Sequence, residues 1–255
     1  LNTMDNLSGL PVVTYLSMDP VTSTVGKSQV SNYVERLADV GVSIDLVTFE
    51  HHVDSGLQSR LADLGVFWRP LAYGRLGAIG GLWRVLRGAW AIRGAELVHA
   101  RSDMAAAAVI VSGIEHWVWD VRSLWVDQKI ATGIIRAGSF QERILRWVER
   151  RAAQRSTAVV TLTQSAIGEL DCRYGGVVAP KARVVTTCTD LDRFPVSTMP
   201  KSTVRVLLAG TLNRYYDVPV MLALVKELRQ RCQVEFIVVS PEATSWEEEL
   251  VSQEV

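Results

Sequence analysis

A parallel, doubly wound α/β sheet is the fold class that this 255-residue chain predicts. Three observations carry the prediction. Short β-rich apolar runs recur nearly from end to end, helix-periodic segments separate them, and several runs are continuously apolar rather than alternating. A strand covered on both faces reads as a continuous run, and strand–helix–strand alternation builds a parallel sheet with helices against it. Strands are expected at Val12–Ser17, Ile44–Phe49, Val66–Arg69, Leu97–Ala100, Trp117–Asp120, Ala158–Leu162 and Arg183–Thr186. Helical periodicity marks Ser28–Asp39, Ala78–Arg93 and Gln141–Arg155.

The pattern breaks at Phe194 to Thr203, where two prolines and little periodicity suit a linker. It restarts with a strand at Val204–Ala209, a glycine turn, a helix at Val218–Gln230 and a strand at Val234–Val239. The expected organisation is a Rossmann-like domain over residues 1–195, a linker over 196–203, and the start of a second such domain over 204–255. A lone strand–helix–strand unit leaves sheet faces uncovered, so the second domain reads as truncated.

Apolar residues make up 48% and charged residues 21%, which places the chain among soluble globular proteins. Its formal net charge is zero, so no global field points to nucleic acid. Cys172, Cys188 and Cys232 lack metal-ligand spacing and read as reduced thiols in a cytoplasmic protein. The most apolar stretch, Leu76 to Ala100, is interrupted by Arg84, Arg87, Arg93 and Glu96, which argues against a membrane span.

Chemistry-bearing residues gather at the predicted carboxyl ends of strands, where open α/β sheets bind ligands. The first strand leads through a long loop to Gly26-Lys27-Ser28. A Walker A loop would need glycine where the chain has Val21, so that reading fails. A substrate-facing loop and a plain connection both remain open. His99 and Arg101, two apart on one strand, share a face and either enter one cleft or form a structural pair. Arginine forks onto phosphate or hydroxyl groups, and histidine donates or accepts near neutral pH. Asp120 and Arg122, at the next strand's end, either hold each other or bind sugar hydroxyls. Glu50 is a candidate cleft carboxylate; His51 and His52 beside it lack a third ligand at metal spacing.

From Arg84 to Arg155 there are 12 Lys/Arg against 7 Asp/Glu, whereas Glu242 to Glu254 holds five acids and no base. Two basic helical segments, Ala78–Arg93 and Gln141–Arg155, combine arginines with large apolar residues. Such a surface either docks on anionic lipid as a peripheral contact or is a core-packed helix with a solvated face.

Together these pieces resemble family-4 glycosyltransferases of the GT-B fold. The resemblance runs through Val12–Ser17, Gly26-Lys27-Ser28-Gln29-Val30, Gly41–Glu50, Val98-His99-Ala100-Arg101-Ser102, Asp120–Trp125, Val160–Thr163, Thr189–Phe194 and Gly210-Thr211, in order. It implies retaining transfer from a nucleotide-sugar donor to a glycan, lipid-linked or small-molecule acceptor, with no metal or other cofactor. The first domain would hold the acceptor and the second the donor. By that likeness Gly26, Lys27, Ser28, Glu50, Asp120 and Arg122 would meet substrate. His99 and Arg101 would lie at the reacting sugar, and Gly210, Thr211 and Arg214 would hold the donor diphosphate. Arg101 stands where many relatives carry a second histidine, and Gln128 stands where an acidic pair is common. The family's late glutamate pair has no counterpart, since Glu227 and Glu235 match its spacing too early in the chain. The resemblance therefore implies a chain inactive alone. A sugar-nucleotide epimerase of the same architecture and a non-catalytic glycan- or partner-binding remnant are the rival readings.

Overall fold

The computed structural model describes residues 11–74, 77–188, 204–210 and 217–240. The chain divides into two compact units, Leu1–Cys188 and Thr189–Val255. The expected linker, 196–203, lies outside the described residues.

In the first unit seven strands form one sheet, every pairing parallel, in the order β3-β2-β1-β4-β5-β6-β7. They are β1 (Val13–Ser17), β2 (Ile44–Glu50), β3 (Phe67–Ala72), β4 (Leu97–Arg101), β5 (Trp117–Val121), β6 (Ala158–Thr161) and β7 (Ala182–Val184). This is the doubly wound Rossmann-like arrangement, with winding that reverses between β1 and β4. All seven expected strands are present, displaced at most three residues at their ends.

The helix expected from Ser28 opens earlier. Ser23 caps it by accepting the Gly26 N–H at 3.0 Å, and α1 (Thr24–Gly26) passes through a π-helical turn at Lys27–Ser31 into α2 (Asn32–Asp39). Four further helices lack a sequence-level signal: α3 (Ser55–Asp63), α5 (Ser102–Ser112), α6 (Trp125–Ala131) and α8 (Gln164–Tyr174). In α5 the reason is physical. Its run Ala-Ala-Ala-Ala-Val-Ile-Val has no polar side to define a stripe, and the helix is largely buried. Gly113, at φ 78°, supplies the left-handed residue that ends it. The basic helices form as expected, α4 over Gly77–Ala91 and α7 over Phe140–Arg155.

The core has two parts. Val21, Val30, Val34, Leu57 and Leu61 pack with Tyr15, Leu46 and Trp68, so α2, α3 and the π turn supply one cluster. Leu16, Val47, Phe49, Trp117 and Trp119 pack with Val85, Ala89, Ala105, Val109, Ala152 and Leu170, so α4, α5, α7 and α8 supply the other. In the second unit β8 (Val204–Ala209) pairs in parallel with β9 (Val234–Val239). Between them runs α9 (Val218–Arg231), capped by Asp217 through the Val220 N–H. Leu208, Val218 and Leu222 form its small core.

Trp117 is fully buried in the larger cluster, so Trp117→Ala should destabilise the protein by about 3–5 kcal/mol. Urea denaturation checks this, with secondary structure in water retained.

Candidate functional site

The β1/β4 junction is the crevice that this sheet order opens, and the residues flanking it are polar although they are buried. His99, Arg101 and Asp120 are each less than a tenth exposed. Register explains their meeting: Tyr15 pairs with His99, Ser17 with Arg101, and Arg101 with Asp120.

The His99 ring stacks on Tyr15, centroids 4.6 Å apart, with Tyr33 at 5.9 Å. Its Nε2 lies 3.3 Å from Asp120 Oδ2, which fixes the ring's orientation. Burial, and after it the Asp120 carboxylate, pushes the Tyr15 hydroxyl far above its ordinary pKa, so it stays protonated. Burial likewise raises Tyr33.

Arg101 donates from Nη1 to Asp19 Oδ2 at 2.6 Å and from Nη2 to Gln29 Oε1 at 2.8 Å. Neither partner was singled out from the sequence. Asp19 follows β1 by two residues, and the π turn carries Gln29. Arg122 reaches Asp120 Oδ1 at 3.6 Å and donates to Thr187 Oγ1 at 3.4 Å. Three buried polar atoms in this cluster have no hydrogen-bond partner: Arg101 Nε, Asp120 Oδ1 and Arg122 Nε. Next to them Ser102 takes φ 73°, a left-handed conformation uncommon outside glycine, and α5 begins without a side-chain cap.

The loop residues stand differently. Glu50 accepts from the Val21 N–H at 2.7 Å, the Thr22 N–H at 3.3 Å, Thr22 Oγ1 at 2.8 Å and Thr48 Oγ1 at 2.6 Å. Both oxygens of Glu50, the candidate cleft carboxylate, are thus engaged within the protein, where they hold the loop. Gly26 is buried, and a Cβ there would collide with the Pro20 carbonyl and approach Val21 Cα to 2.6 Å, so only glycine fits. Lys27 and Ser28 are exposed, and Ser28 Oγ returns to the Thr24 carbonyl at 3.0 Å. The structure thus brings His99, Arg101, Asp120 and Arg122 together and leaves Lys27 and Ser28 on the outer side of the helix. Gly210, at φ 143°, follows β8 and donates to the Val239 carbonyl. Thr211 and Arg214 lie outside the described residues.

A pocket of about 620 Å³ adjoins Arg122 at the ends of β5 and β6, lined also by Leu124, Asp127, Thr163, Ser165 and Arg173. Asp127 accepts from Arg146 and Arg173, and these bonds outweigh its burial and hold it below its ordinary pKa, at about 2. Beneath it Asp103 accepts from Trp119 Nε1 at 3.2 Å. Burial, reinforced by Glu149, raises Asp103 to about 7. Among the described residues, no group of three His, Cys, Asp or Glu is placed to hold a metal ion.

Solved structures with this architecture are distant in sequence. Anabaena HepE in complex with UDP and glucose superposes with a TM-score of 0.60 at 13% identity, over 96% of this chain and 65% of that one. Sucrose-phosphate synthase from Thermosynechococcus elongatus gives 0.65 at 15% identity, over 96% and 68%. A candidate UDP-N-acetylglucosamine 2-epimerase from Listeria monocytogenes gives 0.63 at 13%, over 96% and 66%. The chain therefore spans about two thirds of the length of these proteins. The fold is that of the GT-B glycosyltransferases, a Rossmann-like α/β class. No curated protein matches the chain in sequence. Residues 26–189, more than half of the chain, match the glycosyl transferase 4-like domain, and the chain belongs to that family.

Gly26→Ala should cost about 1–3 kcal/mol in urea denaturation, because the colliding atoms are backbone. Asp103 makes stability pH-dependent. Its folded pKa lies above the ordinary 3.8, so its contribution is full below that value and is lost as pH rises through about 7. Asp103→Asn should flatten the fall in stability between these limits, as read by urea denaturation at a series of pH values.

Proposed function

We propose that the chain supplies the acceptor side of a retaining glycosyltransferase, which moves a hexose-type sugar from a nucleotide-sugar donor to a glycan, lipid-linked or small-molecule acceptor. One observation carries the reading: three buried atoms on Arg101, Asp120 and Arg122 lack a hydrogen-bond partner, at the edge where the winding reverses. Buried polar groups without partners are uncommon in folded proteins, and a hydroxyl- and phosphate-bearing ligand offers both donors and acceptors to them. Family membership and the UDP-bound HepE structure support a nucleotide diphosphate sugar as donor.

In this reading the two guanidiniums, with the uncapped start of α5, stabilise charge on the departing phosphate. His99, held by Asp120 and stacked on Tyr15, orients a sugar hydroxyl, so the site acts through positioning. Gly210, Thr211 and Arg214 would serve the donor diphosphate. The likeness to a candidate epimerase keeps a second reaction on the same fold in view. Product analysis with a nucleotide sugar alone separates the two, because only an epimerase alters the donor without an acceptor.

Saturation-transfer NMR of the chain with UDP- and GDP-hexoses and with short glycans tests the reading. Arg122→Ala should weaken the bound species about 10- to 100-fold, as loss of a charged hydrogen bond does. Substituting the exposed Arg60 should leave binding unchanged. Absence of transfer to every nucleotide sugar and glycan would overturn the proposal.

A further inference from the structure

In helix α4 small residues take most of the core-facing positions, with Val85 the one large residue buried there. Small residues face the core: Gly88 lies so close that a Cβ would come within 3.1 Å of Met18 Cε, Ala89 is buried, and Gly81 sits against Met104. Large apolar residues face outward instead. Ile79, Leu82, Leu86 and Trp90 follow a 3-4-4 spacing, so they share one helix side, and each is more than half exposed. An ordinary surface helix puts those residues in the core.

The same layer repeats the arrangement. Helix α5 packs against both α4 and α7, and all three cover one side of the sheet. On α7 the residues Phe140, Ile144 and Trp147 are exposed at 4-3 spacing. Among them stand the exposed Arg143, Arg150, Arg151 and Arg155, as Arg87 stands beside Trp83 on α4. Arg151 lies over the Trp147 ring at 5.6 Å.

Acidic side chains are turned away from this surface. Helix α4 has none. Asp103 of α5 and Glu149 of α7 are buried, and Glu142 is bonded to the Gly138 N–H and Arg146. A chain of zero net charge therefore presents a helix layer whose exposed charges are arginines, interleaved with tryptophan and leucine. Among the described residues no helix is long and apolar enough to cross a membrane.

We infer that the exposed α4–α7 face docks the protein on an anionic lipid bilayer, with Leu82, Leu86, Trp90 and Trp147 entering the headgroup boundary and the arginines meeting lipid phosphates. Charge complementarity selects this occupant. Apolar side chains alone would suit any hydrophobic partner, whereas helices whose exposed charged residues are arginines match a negatively charged plane. The inference is independent of the transfer chemistry, since it uses no residue of the strand-end site.

Flotation of the chain with vesicles tests it, using phosphatidylcholine alone or with about one third phosphatidylglycerol. Binding is expected only to the anionic vesicles, with a blue shift of tryptophan emission, and it should weaken with salt. Each neutralised arginine costs about fivefold, so Arg87→Gln/Arg150→Gln/Arg151→Gln should lose roughly a hundredfold. Leu86→Ser/Trp90→Ser should lose the blue shift; both side chains are exposed, and circular dichroism should match the parent. Binding that is absent, or equal on neutral and anionic vesicles, overturns the inference. So does sedimentation showing a dimer that Trp90→Ser dissociates, because a second copy would then cover the face.

Discussion

The buried carboxylate of Glu50 fixes the geometry on which the strand-end cluster depends. It is the last residue of β2 and reaches across to gather the Val21 and Thr22 amides of the loop that follows β1. That loop in turn packs against Gly26, whose missing side chain lets helix and loop touch. Ser23, directly after the gathered residues, caps the helix, and the π turn behind it delivers Gln29 to Arg101. An extra residue in a helical turn changes which side chains face the sheet, and π turns recur at functional sites for that reason. Removal of the Glu50 charge would leave two amides and two hydroxyls to find new partners in a dry interior. The cluster around Arg101 is therefore positioned by groups that do not themselves face the crevice.

Two acid–base assemblies stand side by side at this edge of the sheet and differ in how completely they are satisfied. Asp127, Glu149, Arg146, Arg173 and Glu169 bond one another closely. In the other, Arg101, Asp120 and Arg122 have partners for some atoms and none for others. The closed network braces α6, α7 and α8 against one another, because its members come from all three helices. The open one keeps hydrogen-bonding capacity in a place that water reaches poorly. An unmet donor in a low-dielectric setting interacts strongly with whatever charge arrives.

The sheet was legible in the sequence because its strands are continuous apolar runs, and burial on both faces leaves no other composition workable. That His99, Arg101, Asp120 and Arg122 come together was legible for a related reason: adjacent parallel strands bring their carboxyl ends to one edge of the sheet. What sequence could not supply was direction. Glu50 ends a strand just as Asp120 nearly does, yet Glu50 turns to its own loop. Gly26 is required by the Pro20 carbonyl, a neighbour that only the folded turn reveals. Asp19 and Gln29 meet Arg101 from 82 and 72 residues away, and no local pattern pairs either with it. Helix α5 was hidden because an all-apolar helix and a buried strand share the same composition.

The parallel architecture also explains how one small unit can carry two separate surfaces. Ligand-facing groups collect at the carboxyl ends of strands, because loops diverge there and leave polar residues room to converge. Helix faces lie at right angles to that edge, and each helix must give only one side to the core. In α4 that side is filled by glycine, alanine and Val85, since the helix lies close to α5 and the sheet. Ile79, Leu82, Leu86 and Trp90 are thereby released from packing duty. A sequence constrained only by folding would place Leu86 and Trp90 inward and small or charged residues outward, at lower risk of aggregation. The reversed pattern survives on α4 and recurs as an exposed aromatic stripe on α7, in company with arginines and without exposed acids. Displaying these residues to water carries a cost, which docking on an anionic lipid surface would offset.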